Sequence, residues 1–321
     1  MDLIYSNASR KDLGVLQDYE LDLAFGKDEN DFECRIPADA HCCGAGFFLY
    51  IEGTEYGGTV DSIASDTATK EVTYSGRTWQ GILNSKIIQP DNGEDYLIVS
   101  GEANAVIATL LDRLGLSSLF EASTEDSGLT IKNYKMHRYI AAYDGICKML
   151  ASVGGKLLLS YDGEKVTLTA ATRHDYSHDE EFDSDQMDFT AKRNTQTVNH
   201  LICLGQGELA DRLVIHLYAD ADGNISRTQT LFGLSEYAAV YELSNAESEE
   251  DLEYSGKEQL AILCQPHELT VNFDADSDLY NVGDIVGAVD NITGISAAAA
   301  ISKKIVTIKN GQITIYYEVG D

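Results

Sequence analysis

Alternating hydrophobic residues toward both ends of the chain, two helical stripes in its middle and glycine-marked turns predict a β-rich α+β protein. In that reading antiparallel sheets, closed as barrels or stacked as sandwiches, frame a small α/β unit. The 321 residues allow two or three domains at about 150 residues each. At 44% hydrophobic residues, each can build a core without metal or disulfide staples.

The first hundred residues read as strands. Leu21 to Phe25 and Phe32 to Ile36 alternate apolar with polar or small residues, and Phe47 to Ile51 is an apolar run too short for a helix. Gly57-Gly58 punctuates the chain before Thr59 to Ile63 and Lys70 to Gly76. Gln89-Pro90-Asp91-Asn92-Gly93 marks a loop. Beyond it, Ala103, Val106, Ile107, Leu110, Leu111 and Leu114 recur at helical spacing, and Gly115 ends the run. A second helix spans about Tyr139 to Val153 and stops at Gly154-Gly155. Lys156 to Tyr161 and Lys165 to Ala170 form a hairpin about Asp162-Gly163, with the acidic stretch Asp175 to Asp188 as its exit. Strands resume at Thr197 to Leu204, Arg212 to Tyr218 and Ile225 to Leu231. A helix is expected from about Asn245 to Leu263, its acidic residues at the favourable N-terminal end. The chain closes on strands Glu268 to Phe273, Ile285 to Val289, Lys304 to Ile308 and Gln312 to Val319.

Fifty-three acidic residues against 23 basic ones give a formal charge of −30. Such a chain repels a phosphate backbone and gains nothing from counterion release, which argues against specific nucleic-acid binding. It does not argue against a channel through which DNA slides, where a repulsive wall is useful. Met1 to Arg10 lacks the pattern of a secretory signal, and no run approaches the ~18 apolar residues of a membrane helix. Assembly in a cytoplasm is the expectation.

No residue set stands out as catalytic. G-x-S-x-G, H-E-x-x-H and phosphate-cradling glycine loops are absent. Cys34, Cys42, Cys43, Cys147, Cys203 and Cys264 are too sparse for a disulfide framework. Cys42-Cys43 beside His41 offers half a metal site, and the reading adopted is reduced core cysteines. Asp220, Asp222 and Asn224 resemble a calcium loop, but Gly223 stands fourth where an EF-hand needs glycine sixth, so a hairpin turn is expected. His174, Asp175, His178 and Asp179 form a potential ligand set better read as a solvated charge run, and Asp274, Asp276 and Asp278 as a solvent-facing edge. Trp79 is expected as a core anchor. No catalytic residue, metal or cofactor is assigned.

Three segments resemble the hub family of phage tail tips and baseplates. Val72 to Pro90 is similar to that family's strand, glycine turn and short helix, through Gly76, Trp79, Leu83, Ile87 and Pro90; Lys86 stands where the family often has arginine. The helix ending at Gly154-Gly155, the following hairpin and Arg173-His174-Asp175-Tyr176-Ser177 form the second segment. Leu279 to Val286, with Tyr280, Gly283, Asp284 and Val286, looks like the entrance to the family's last barrel. Gly283 would permit a tight approach, and Asp284 would satisfy nearby backbone groups.

The resemblance implies two tail-tube-like antiparallel β-barrels with an inserted α/β domain. The expected boundaries are 1–98 with 187–235 for a split first barrel, 99–186 for the insertion, and 236–321 for a helix and second barrel. It further implies a non-enzymatic homotrimer at the virion tail tip, joining a sixfold tail tube or distal-tail ring to a threefold spike or receptor-binding fibre. The tape-measure protein is a further implied partner, and the trimer would form part of the DNA channel. A tail-associated cell-wall hydrolase and a surface adhesin are the competing readings. The first lacks a cleft constellation, and the second lacks a secretion signal and clustered aromatic residues.

Overall fold

The structure is a computed structural model describing residues 2–177, 181–183, 189–193, 196–246, 248–265, 267–275 and 279–320. The chain divides into two compact units, one of Met1–Phe189, Thr270–Ala288 and Ala299–Asp321, the other of Thr190–Leu269 and Val289–Ala298.

A ten-stranded sheet dominates the first unit. Along its main path in this unit the strands follow the order His267–Ala275, Gln312–Val319, Ser296–Lys309, Glu20–Gly26, Asp31–Pro37, Glu71–Arg77, Ser62–Asp66. N- and C-terminal strands join where Leu21, Leu23 and Phe25 pair with Ile308, Val306 and Lys304. Alternation turns Leu21, Leu23, Phe32, Cys34, Val306 and Ile308 inward. A four-stranded sheet orders Asp12–Leu16, Leu3–Ser6, Phe48–Tyr50 and Gly57–Thr59.

The expected barrels are not present: these sheets are open. The first and last strands of each order do not pair, so no described sheet closes on itself. The partner choice explains the difference. The strands Glu20–Gly26 and Ser296–Lys309, expected in separate barrels, lie side by side. The strands His200–Leu204 and Val214–Ala219, expected to complete the first barrel, pair with each other and with Ile225–Ser226 and Ala238–Glu242 in a separate four-stranded sheet.

Four helices are described. In the first unit α1 (Trp79–Asn84), α2 (Ala103–Arg113) and α3 (Ala142–Ala151) bury their apolar stripes. Ile107, Leu110, Ile146, Met149 and Leu150 share one core with Trp79, Phe120, Leu159, Tyr161 and Leu168. In the second unit α4 (Glu249–Leu263) sets Leu252 and Leu260 against Leu201, Cys203, Ile215 and Leu217. Ser248 caps α4 by accepting from Asp251 N at 3.1 Å, with acidic residues in the first turn as the helix dipole favours.

At the start of α2 the Glu102 carboxylate accepts from Ala105 N at 2.9 Å, from Ser127 N at 3.0 Å and from Ser127 Oγ. Burial raises this carboxyl, but the hydrogen bonds from Ser127 and the helix N-terminus outweigh it and hold it down at about 2, against an ordinary 4.5. A carboxylate depressed in the folded state stabilises fully above its unfolded value, and that stabilisation is lost as pH falls through the folded one. Glu102→Gln should therefore flatten the loss of stability between pH 4.5 and about 2 in urea melts at stepped pH. An unchanged slope would contradict this role.

Candidate functional site: two motifs meet at a buried ion pair

Two of the three singled-out segments converge on Asp284, which is fully buried. α3 ends through Gly154, and Gly155 opens the strand Gly155–Tyr161. The next residue, Lys156, reaches Asp284 with Nζ, at 2.7 Å from Oδ1 and 2.8 Å from Oδ2. After the hairpin, where Asp162 Oδ1 accepts from Glu164 N and Lys165 N at 2.8 Å, the chain returns and Arg173 N donates to Gly154 O at 3.0 Å. His174 N then donates to Asp284 Oδ1 at 2.7 Å, and Asn281 N to Oδ2 at 2.9 Å.

The carboxylate thus gathers one ammonium and two backbone N–H groups, which is how a buried charge avoids the cost of desolvation. Backbone pairing locks the same junction. Ile285 N donates to His174 O at 2.9 Å, Tyr176 N to Ile285 O at 2.8 Å, and Ile301 N to Asp284 O at 2.8 Å. Gly283 takes φ +96°, where a Cβ would stand 3.2 Å from that of Lys156. Tyr280 stands edge-on to Tyr176, Phe273 and Tyr317 at centroid separations of 4.9, 5.5 and 5.6 Å, and Val286 is buried. Asp175 is exposed; its Oδ1 accepts from Ser177 N and Oγ at 3.0 and 2.5 Å.

The remaining segment builds a different place in the same unit. Gly76 pairs with Phe32. Thr78 then caps α1, its hydroxyl accepting from Gly81 N at 3.2 Å. Trp79 is fully buried, stacked on Phe48 at 5.9 Å and tilted against Tyr161 at 4.7 Å, and Leu83 is buried beside it. Ile88 pairs with Ile140, whereas Ile87 is exposed and Pro90 half-buried.

Two polar groupings had no place in the sequence reading. Lys304 is completely buried, donates to Glu55 Oε1 at 2.9 Å and lies over the Tyr56 and Phe25 rings, while Gln80 Nε2 donates to Glu55 Oε2 at 3.2 Å. Its signal was phase: Lys304, Val306 and Ile308 alternate on one strand face. In the second unit His200 Nδ1 lies 2.6 Å from Glu236 Oε1, and its Nε2 lies 2.8 Å from His216 Nδ1.

Burial pushes the Cys34 thiol up to about 12 and the Cys203 thiol to about 11, and burial with neighbouring Cys42 also raises Cys43, so these sulfurs stay protonated and poorly nucleophilic. Asp220 is consumed by its own turn, accepting from Asp222 N and Asn224 N at 2.9 Å. Among the described residues no group of three or more His, Cys, Asp or Glu could hold a metal ion. His178, Asp179, Asp276 and Asp278 lie outside the described residues. A groove of about 600 Å³ on the large sheet is lined by Glu20, Asp22, Asp31, Glu33 and Asp61 with Arg35 and Arg77. Burial, then the nearby carboxylates of Glu29 and Glu33, raise the Asp22 carboxyl.

No model of a known protein family matches the chain, and no curated protein matches it in sequence. Solved structures match it from end to end. A tail protein from Neisseria meningitidis MC58 is 15% identical with TM-score 0.53, covering 100% of this chain and 96% of that one. The 43 kDa tail protein of prophage MuSo2 from Shewanella oneidensis is 13% identical with TM-score 0.57, over 99% and 98%. Prophage tail protein gp18 from Listeria monocytogenes EGD-e is 11% identical with TM-score 0.56, over 99% and 94%. The chain therefore has the fold of these tail proteins.

Proposed function

We propose that the chain is a structural part of a phage or prophage tail, the hub of its tip, and works by assembly rather than catalysis. The observation that carries this reading is the fold likeness to three tail proteins over at least 94% of every chain compared. The convergence of two hub-like segments on Asp284 supports it, because conformational locking is what those residues do here. As a hub the chain closes into a homotrimer between the tail tube or distal-tail ring and a threefold spike or fibre, and meets the tape-measure protein. Its excess of carboxylates keeps DNA moving past a repulsive wall, and the groove on the large sheet is a candidate stretch of that wall.

Three copies gather about three times −30 of formal charge. Such repulsion weakens association at low ionic strength, within a Debye length of ~10 Å at 0.1 M salt. Native mass spectrometry across a salt series, with and without the neighbouring tail proteins, should reveal a trimer that salt or a partner favours. A dimer or tetramer under every condition would overturn the trimer. Clearing of peptidoglycan by the purified chain, abolished by one point substitution, would overturn the non-enzymatic role.

A further inference from the structure

In the second unit, His200 and His216 occupy adjacent antiparallel strands, in the cross-strand pairs His200–Tyr218 and Ile202–His216. His200 is nearly buried, stacked on Tyr218 at a centroid distance of 4.4 Å, with Nδ1 tied to the Glu236 carboxylate at 2.6 Å. A carboxylate only accepts, so Nδ1 donates to it, and Nε2 faces the second ring, whose Nδ1 is 2.8 Å away. His216 is exposed, so solvent reaches the pair.

A carboxylate holding one imidazole nitrogen while the other faces a second imidazole is the arrangement that orients histidine ligands in metal sites. We propose that His200 Nε2 and His216 Nδ1 form a two-nitrogen site for a divalent transition-metal ion, with water completing the coordination from the exposed side.

Two imidazole nitrogens with water in the remaining positions suit the tetragonal geometry of Cu²⁺ or Ni²⁺. With metal–nitrogen bonds near ~2.0–2.1 Å, two cis ligands at a right angle stand ~2.9 Å apart, and a tetrahedral pair ~3.3 Å apart. The hydrogen-bonded rings, 2.8 Å apart, are close enough to open to either spacing. Binding displaces the proton between the rings and requires the exposed His216 ring to turn so that both lone pairs converge. Tyr218 and Glu236 hold His200 still meanwhile.

The test is Cu²⁺ titrated into the untagged full-length chain, followed by electron paramagnetic resonance and calorimetry. One equivalent should bind with hyperfine structure from two nitrogens. His216→Ala and His216→Gln should each weaken binding by at least about tenfold, and Glu236→Gln by about tenfold. The double variant His174→Ala/His178→Ala should bind like the original. Circular dichroism establishes that each variant folds. Binding that survives both His216 variants, or is lost with His174 and His178 instead, overturns the proposal, as does the absence of saturable binding by about 1 mM Cu²⁺.

Discussion

Asp284→Asn should destabilise the first unit by about 3–5 kcal/mol, because it strands the Lys156 ammonium in a nearly closed site. Asparagine keeps the shape but has one accepting oxygen where the carboxylate has two, so it can keep the bond from His174 N or from Asn281 N, and the loss combines the charge with one backbone hydrogen bond. In a unit of this size the loss corresponds to a fall of roughly 10 °C in Tm. Trp79, the sole tryptophan, reports the transition, since it rests on Tyr161 at the far end of the strand that begins beside Lys156. Removing both partners, as Lys156→Met with Asp284→Leu, should cost less than Asp284→Asn alone, because a buried ion pair gains little net energy over well-packed apolar groups. A double variant less stable than either single one would show that the carboxylate matters for its backbone hydrogen bonds instead. A single variant within 2 °C or so of the original would remove the ion pair from the account of this junction.

How far this junction could be read in advance depends on what a linear pattern encodes. Periodicity located α2 and its buried Ile107, Leu110 and Leu111, and Asp-Gly located the hairpin at residues 162–163. Both are local properties, decided within one turn of chain. Alternation likewise marked Leu21 to Phe25 and Lys304 to Ile308 as strands, parts of Glu20–Gly26 and of the longer Ser296–Lys309. It cannot say which strand lies beside which, because a period of two is the same for every partner. The expectation of two separate barrels failed there: Leu23 pairs with Val306 across most of the chain. Asp284 was singled out as a residue that satisfies backbone groups, and it does, but its charged partner Lys156 passed unremarked. The two lie 128 positions apart. The histidine pair was missed although both its strands were anticipated, since only their register places His216 diagonally beside His200.

Gly76→Ala should prove the most damaging single-methyl change in the first unit's sheet. An added Cβ would stand 1.9 Å from the Thr59 carbonyl oxygen and 2.7 Å from Asp61 N. Both are backbone atoms, so no side chain can swing away. The backbone cannot easily retreat either. Asp61 N donates to Ser75 O at 3.0 Å, Gly58 bridges to Thr78, and Arg77 holds Asp61 through Nε at 2.7 Å and NH2 at 2.8 Å. Relief therefore means prying residues 58–61 from residues 75–78, just where Trp79 enters the core. Overpacking in cores costs about 1–3 kcal/mol where side chains can adjust, and a clash with fixed backbone belongs above that range. Gly93→Ala is the control: its Cβ meets nothing within 4 Å, and only its φ of +88° opposes the change, at about 1 kcal/mol. Urea melts followed by Trp79 fluorescence should place Gly93→Ala near the original and Gly76→Ala far below it, or insoluble. Equal midpoints for the two variants would mean that the two segments can separate, and that the glycine is not what permits their contact.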